Sequence, residues 1–288
     1  MKRKVELFAN CKCVLSESPM WHSSQRALYW RGFEGEIFRK KMNTKVNDFE
    51  RFPLNIGKIG SMVFTEGEEI LLFAEYGKIW KWKPYTQPVL YRDFQKNLFN
   101  DVLCDSRGRI YCGMLASDYF NAEKRGKYGS FWRMDKNEFV CLNNKTSPTP
   151  NGIRISPQKD KLYFAVTDDN RIYSYDYDEK TGEIFNQKIF AENCFPDGIA
   201  VDDLGNVWVA DCRCGRPVLC YNAKGELIEE IDVPVRRVIS VAFGGEDRKT
   251  LFITTAHENE PRGEYDGGVF CVRTDHAGAA EYRYLLNG

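Results

Sequence analysis

The chain has 288 residues, 43% hydrophobic and 28% charged, with Lys plus Arg and Asp plus Glu balanced at 41 each. A globular composition without net charge offers no basic excess to a nucleic acid or an anionic membrane. No run approaches the roughly 18 consecutive apolar residues of a membrane-crossing helix.

The opening Lys2-Arg3-Lys4 is followed by Val5-Glu6-Leu7-Phe8, which lacks the apolar core of a secretion signal. A cytoplasmic protein is therefore expected, and its ten cysteines as reduced thiols. Cys104, Cys112, Cys141, Cys220 and Cys271 lie in strand-like apolar runs, where cysteine acts as a small hydrophobe. Cys11/Cys13 and Cys212/Cys214 are C-x-C pairs, tighter than the usual zinc-chelating spacing.

Taken in chain order, the predicted elements repeat. Lys4–Phe8 reads as a strand that precedes the first full repeat. A unit then recurs six times: a strand that opens on a small or polar residue, a polar turn, an apolar strand, and a third strand often introduced by Gly. The first strands open at Glu17, Ser61, Asn100, Asn151, Asp197 and Ser240. Their turns include Ser23-Ser24-Gln25, Asp105-Ser106-Arg107-Gly108 and Asp202-Asp203-Leu204-Gly205, which are hairpin signals.

The second strands are 27–30, 70–73, 110–112, 162–165, 207–209 and 251–253, and the third are 36–38, 78–80, 130–132, 171–173, 217–219 and 269–271. The openings are 44, 39, 51, 46 and 43 residues apart. That is the period of a four-stranded propeller blade. The expectation is one all-β domain over 1–288. It is a six-bladed β-propeller with four antiparallel strands per blade, its ring closed by the N-terminal strand. A sandwich or barrel of short strands would not explain the period.

In a propeller the six openings are equivalent positions that converge at one end of a central channel. Three carry oxygen donors: Glu17, Asn151 and Asp197. Two carboxylates and an amide suit a hard divalent cation completed by water. Asn151-Gly152 and Asp197-Gly198 are equally ordinary turn dipeptides, so the residues alone leave both readings open. His22, His257 and His276 lie away from the openings, which gives a histidine zinc site or a Ser-His-Asp triad no support. His22 is expected to cap a turn beside Trp21. No phosphate-binding glycine loop occurs.

Five stretches carry a resemblance: Glu17-Ser18-Pro19-Met20-Trp21, Phe99-Asn100-Asp101, Pro150-Asn151-Gly152-Ile153, Phe195-Pro196-Asp197-Gly198-Ile199-Ala200-Val201-Asp202 and Val241-Ala242-Phe243-Gly244-Gly245. In order and spacing the chain resembles the family of regucalcin, gluconolactonases and the luciferin-regenerating enzyme along essentially its whole length. The resemblance implies a six-bladed propeller holding one divalent cation (calcium, zinc, manganese or magnesium) on Glu17, Asn151 and Asp197. It places Asn100 near the cation or the substrate.

The resemblance also implies hydrolysis of a small-molecule sugar lactone, with broader esterase or phosphotriesterase activity as the alternative within the fold. A non-catalytic metal-binding scaffold is the alternative of a different class. On the lactonase reading Asp197 is the base that activates water, and Asn100 and Asp118 orient substrate hydroxyls. Leu98 stands where the family carries an Arg that holds substrate hydroxyls, and Ser16 where it usually has Gly. The expected partners are the lactone alone, with no nucleic acid, no membrane and a monomeric state.

Overall fold

The computed structural model describes residues 3–136, 138–215, 217–257 and 263–286. β1 (Val5–Ala9) opens the chain. β2 (Ser16–His22), β3 (Ala27–Gly32), β4 (Glu36–Lys41) and β5 (Glu50–Pro53) form the first antiparallel sheet. The second holds β6 (Ile59–Phe64), β7 (Ile70–Ala74), β8 (Lys78–Trp82) and β9 (Val89–Asp93). The third holds β10 (Phe99–Cys104), β11 (Ile110–Met114), β12 (Gly129–Asp135) and β13 (Glu138–Thr146). The fourth holds β14 (Pro150–Ile155), β15 (Lys161–Val166), β16 (Arg171–Tyr177) and β17 (Ile184–Glu192).

The fifth sheet holds β18 (Pro196–Val201), β19 (Val207–Asp211), β20 (Val218–Tyr221) and β21 (Leu227–Ile231). The sixth holds β22 (Arg237–Gly244), β23 (Thr250–Ala256) and β24 (Val269–Arg273), with β1 as its fourth strand. β1 pairs antiparallel with β24, Val5 opposite Val272, so a strand from the start of the chain covers the edge of the last sheet. The fold is the all-β six-bladed propeller that the period predicts. No helix among the described residues is long and apolar enough to cross a membrane.

The chain divides into two compact units. Met1–Asn55 and Cys194–Ala280 make one, with the first, fifth and sixth sheets. Here Trp21, Trp30 and Phe38 of the first sheet pack with Phe8, Phe252 and Val269 of the sixth. Trp208 and Val218 of the fifth pack with Phe243, Leu251 and Phe270 of the sixth. Ile56–Asn193 and Glu281–Gly288 make the other, with the second, third and fourth sheets. Phe73 and Ile79 meet Phe99, Cys112 and Met134 there. The Phe131 and Phe164 rings stack at 4.2 Å between the third and fourth sheets.

Burial follows strand order. β3, β7, β11, β19 and β23 are buried along their whole length, which is why their central residues read as short apolar runs rather than alternating ones. The fourth strands β5, β9 and β21 are largely exposed.

Two hairpin turns are built on buried carboxylates. Asp105 Oδ1 accepts from the backbone N–H of Arg107 (2.8 Å) and Arg109 (2.9 Å), while Oδ2 takes Arg109 Nε at 2.6 Å. Asp202 accepts from the N–H of Leu204 (3.0 Å) and Asn206 (2.9 Å), from Asn206 Nδ2 (2.8 Å) and from Trp208 Nε1 (3.1 Å). Gly108 and Gly205 follow three residues later at φ +79° and +87°, a region costly for any side chain.

Removing the fully buried Asp202 carboxylate strands the Asn206 and Trp208 donors. Asp202→Ala is expected to lower unfolding stability by about 3 kcal/mol. The expected readout is a lower urea midpoint at unchanged slope, with Asp203→Ala next to it within about 0.5 kcal/mol of the parent.

Candidate functional site

The first strand of every sheet takes one extra residue against its neighbour. The irregularity falls between Glu17 and Met20, Ile59 and Ser61, Phe99 and Val102, Pro150 and Ile153, Pro196 and Ile199, and Val238 and Ser240. A bulge of this kind re-aims side chains locally. Asn100, Asn151 and Asp197 lie inside the irregular stretch and Glu17 at its edge. Asn151-Gly152 and Asp197-Gly198 therefore sit within strands β14 and β18, and neither is a hairpin turn.

In the unit of the second, third and fourth sheets, the bulges bring Asn100 and Asn151 into direct contact. Asn100 Nδ2 donates to Pro150 O at 2.8 Å and to Asn151 Oδ1 at 3.2 Å. Asn151 Nδ2 donates to Thr167 Oγ1 at 3.0 Å. With its nitrogen held by Thr167, the Asn151 amide presents its oxygen to Asn100, and both side chains are buried.

Asp118 lies in the β11–β12 loop, exposed and at φ +50°. That loop is tied down beside Asn100 and Asn151. Leu115 N–H donates to Leu98 O at 3.0 Å and Ala116 N–H to Pro148 O at 3.0 Å. Arg125 stacks on Tyr119, 4.2 Å from the ring centre. The Tyr119 hydroxyl lies 3.1 Å from Thr149 Oγ1, and Thr149 donates to Asp168 at 2.7 Å. Asp101, next to Asn100, faces Arg154 at 3.9 Å.

In the other unit, Glu17 stands opposite Arg31 in the β2–β3 ladder, and its carboxylate is ion-paired with the Arg31 guanidinium. Asp197 is buried at the start of β18. The next residue has no room for a side chain, because a Cβ on Gly198 would sit 1.9 Å from Ser240 Oγ and 2.8 Å from Ser240 Cα. Beyond it, Arg237 Nε donates to Cys212 O at 3.0 Å. Burial, and then the Asp197 carboxylate, push the Cys212 thiol up, so it stays protonated at neutral pH. All ten cysteines are free thiols. His22 closes the β2–β3 turn, its Nδ1 accepting from Gln25 N–H at 3.3 Å.

The donors fit a hard divalent cation in kind: carboxylates on Glu17 and Asp197, and an amide on Asn151 whose oxygen is fixed by the Thr167 bond. Among the described residues no group of three or more His, Cys, Asp or Glu gathers in a ligating arrangement.

Sequence reasoning missed Thr167 and Arg31. Thr167 lies just past the end of β15, at the start of a 3-10 turn, and reaches Asn151 only because β14 and β15 pair. Arg31 left a signal, since it is the one charge in an otherwise apolar strand.

The contact at Gly198 yields a check on how Asp197 is positioned. Gly198→Ala is expected to cost about 2–3 kcal/mol through overpacking against Ser240. Ser240→Gly in the same chain should recover part of that loss, read as a positive coupling in a thermal or urea double-mutant cycle.

Residues 15–257 match the model of the family described as the SMP-30/gluconolactonase/LRE-like region. A pentonolactonase of Haloferax volcanii is 30% identical to the chain, over 94% of each sequence. Among solved structures, a luciferin-regenerating enzyme aligns at TM-score 0.86 and 22% identity, covering 99% of this chain and 100% of the other. A calcium-binding protein, regucalcin, from Agrobacterium tumefaciens aligns at TM-score 0.85 and 20% identity, covering 100% and 99%.

Proposed function

Because the chain belongs to the SMP-30/gluconolactonase/LRE-like family, we propose that it is a metal-dependent hydrolase that opens a sugar lactone. The observation that carries the reading is the place of Asn100, Asn151 and Asp197 inside equivalent bulges of three first strands, with Glu17 at the edge of the bulge of a fourth. The pentonolactonase supports the substrate class.

On this reading Glu17, Asn151 and Asp197 hold one divalent cation. The cation supplies Lewis-acid polarisation of the lactone carbonyl and offsets the negative charge that develops on it. Asp197 takes the proton from the attacking water, since a carboxylate can both bind the cation and deprotonate the water, and Glu17 is already ion-paired with Arg31. Asn100 spends both amide hydrogens on Pro150 and Asn151, which leaves its oxygen as an acceptor for a substrate hydroxyl. Asp118, exposed on a tethered loop, accepts a second hydroxyl.

The test is proton release from a panel of aldono-γ- and δ-lactones by chelator-stripped protein, with Ca²⁺, Zn²⁺, Mn²⁺ or Mg²⁺ restored in turn and spontaneous opening subtracted. Turnover is expected only with metal restored. It should fall by at least about a hundredfold in Asp197→Asn, as loss of a general base does, while metal content measured alongside is retained. Near-parent turnover in Asp197→Asn overturns the base assignment. Absence of turnover with every metal overturns the lactonase reading.

A further inference from the structure

Arg31 has no role in the reading above, yet it is the group in contact with one of the expected ligands. β3 is buried from end to end, and Arg31 is its one charged residue. The residue opposite in the ladder is Glu17, and the two side chains are ion-paired with exposures of 6% for Arg31 and 14% for Glu17. A guanidinium this deeply enclosed has to face a counter-charge, and a carboxylate so enclosed has to face a cation. Without any metal, this pair satisfies both demands.

A divalent cation approaching Glu17 therefore meets a carboxylate already neutralised by a fixed positive charge. It must either displace the guanidinium or bind beside it against like-charge repulsion, and both weaken binding. We propose that Arg31 is a resident cation that competes with the divalent metal for Glu17. It keeps the metal-free protein charge-balanced and holds metal affinity below what the oxygen donors alone would give.

The inference rests on the reading of Glu17 as a ligand, but it concerns metal binding and metal-free stability rather than turnover. Two consequences follow from the geometry. Removing the guanidinium leaves Glu17 enclosed and uncompensated, so metal-free protein loses stability and metal-loaded protein does not lose as much. The same removal frees the carboxylate, so the metal binds more tightly. Lysine at position 31 retains the positive charge without the planar fork and should sit near the parent.

The experiment is calorimetric titration of Ca²⁺ and Mn²⁺ into chelator-stripped parent, Arg31→Met, Arg31→Lys, Glu17→Gln and Glu17→Gln/Arg31→Met proteins. Thermal melts of each, with and without metal, accompany it. Arg31→Met is expected to bind at least on the order of tenfold more tightly, with a lower metal-free melting temperature and a larger metal-induced rise. Arg31→Lys should change affinity by less than about threefold.

Should Arg31→Met fold only with metal present, that outcome supports the proposal, and the doubly substituted chain restores metal-free folding. Equal or weaker binding by Arg31→Met, in protein whose binding is lost in Glu17→Gln, overturns the inference and leaves the ligand assignment standing. Binding unaffected by Glu17→Gln, or no binding by parent and Arg31→Met alike, overturns both. Absence of lactone turnover in protein that shows the expected affinity change overturns only the catalytic reading.

Discussion

The extra residue in the first strand of each sheet is the constraint on which the candidate site depends. Side chains on a strand alternate faces with period two, so a regular first strand would assign every residue to one of its two packed faces. One inserted residue breaks the alternation at one point. The strand beyond it keeps its apolar side chains in the sheet-to-sheet packing, as Ile153, Ile199 and Val241 show by complete burial. The residues at the break are released from that assignment, and these are Asn100, Asn151 and Asp197, with Glu17 beside them. Packing and site chemistry thus occupy one strand without competing for the same positions.

This division explains what could be read from the sequence. The second strands were legible because full burial demands continuous apolar residues, and each predicted run falls within the observed strand. The first strands were legible through the polar residues that the bulges expose to a different environment. The bulge itself was not legible, because an Asn-Gly or Asp-Gly pair has the same composition in a turn as in a kinked strand. The fourth strands went unplaced for the opposite reason: β5 and β21 (Glu-Arg-Phe-Pro and Leu-Ile-Glu-Glu-Ile) lie at an edge, and solvent imposes no pattern there. β1 escaped that rule because Leu7, Phe8 and Ala9 pack inward on the last sheet.

Buried charge separates structural carboxylates from candidate chemical ones. Asp105 and Asp202 are enclosed, and each oxygen is met by short, well-placed donors, mostly from their own turns. Their turn partners lie two to six residues away in sequence, with the Tyr177 hydroxyl of the neighbouring sheet added on Asp105 at 2.8 Å, and such mostly local closure is a folding device. Glu17 is met by a strand neighbour fourteen residues on, and Asn100 by a residue fifty-one positions away in the next sheet. Long-range partners of this kind depend on the assembled fold, so their geometry responds to whatever occupies the site. A local Asx turn does not have that sensitivity.

Position 98 shows how recognition can change on an unaltered frame. The backbone carbonyl of Leu98 accepts from Leu115 N–H and so anchors the loop that carries Asp118. That bond uses no side-chain atom, and any residue at 98 can make it. The arginine that the resemblance implies at this place can therefore be absent without releasing the loop, which is also held by the Ala116–Pro148, Tyr119–Thr149 and Arg125–Asp168 contacts. On the resemblance, what is lost is a fixed donor for substrate oxygen atoms. On the proposed lactonase reading, substrate discrimination falls to groups that the frame still presents, the Asn100 amide and the loop carboxylate. These accept hydrogen bonds where an arginine would donate them, so on that reading recognition reads hydroxyl hydrogens on the substrate rather than oxygen lone pairs.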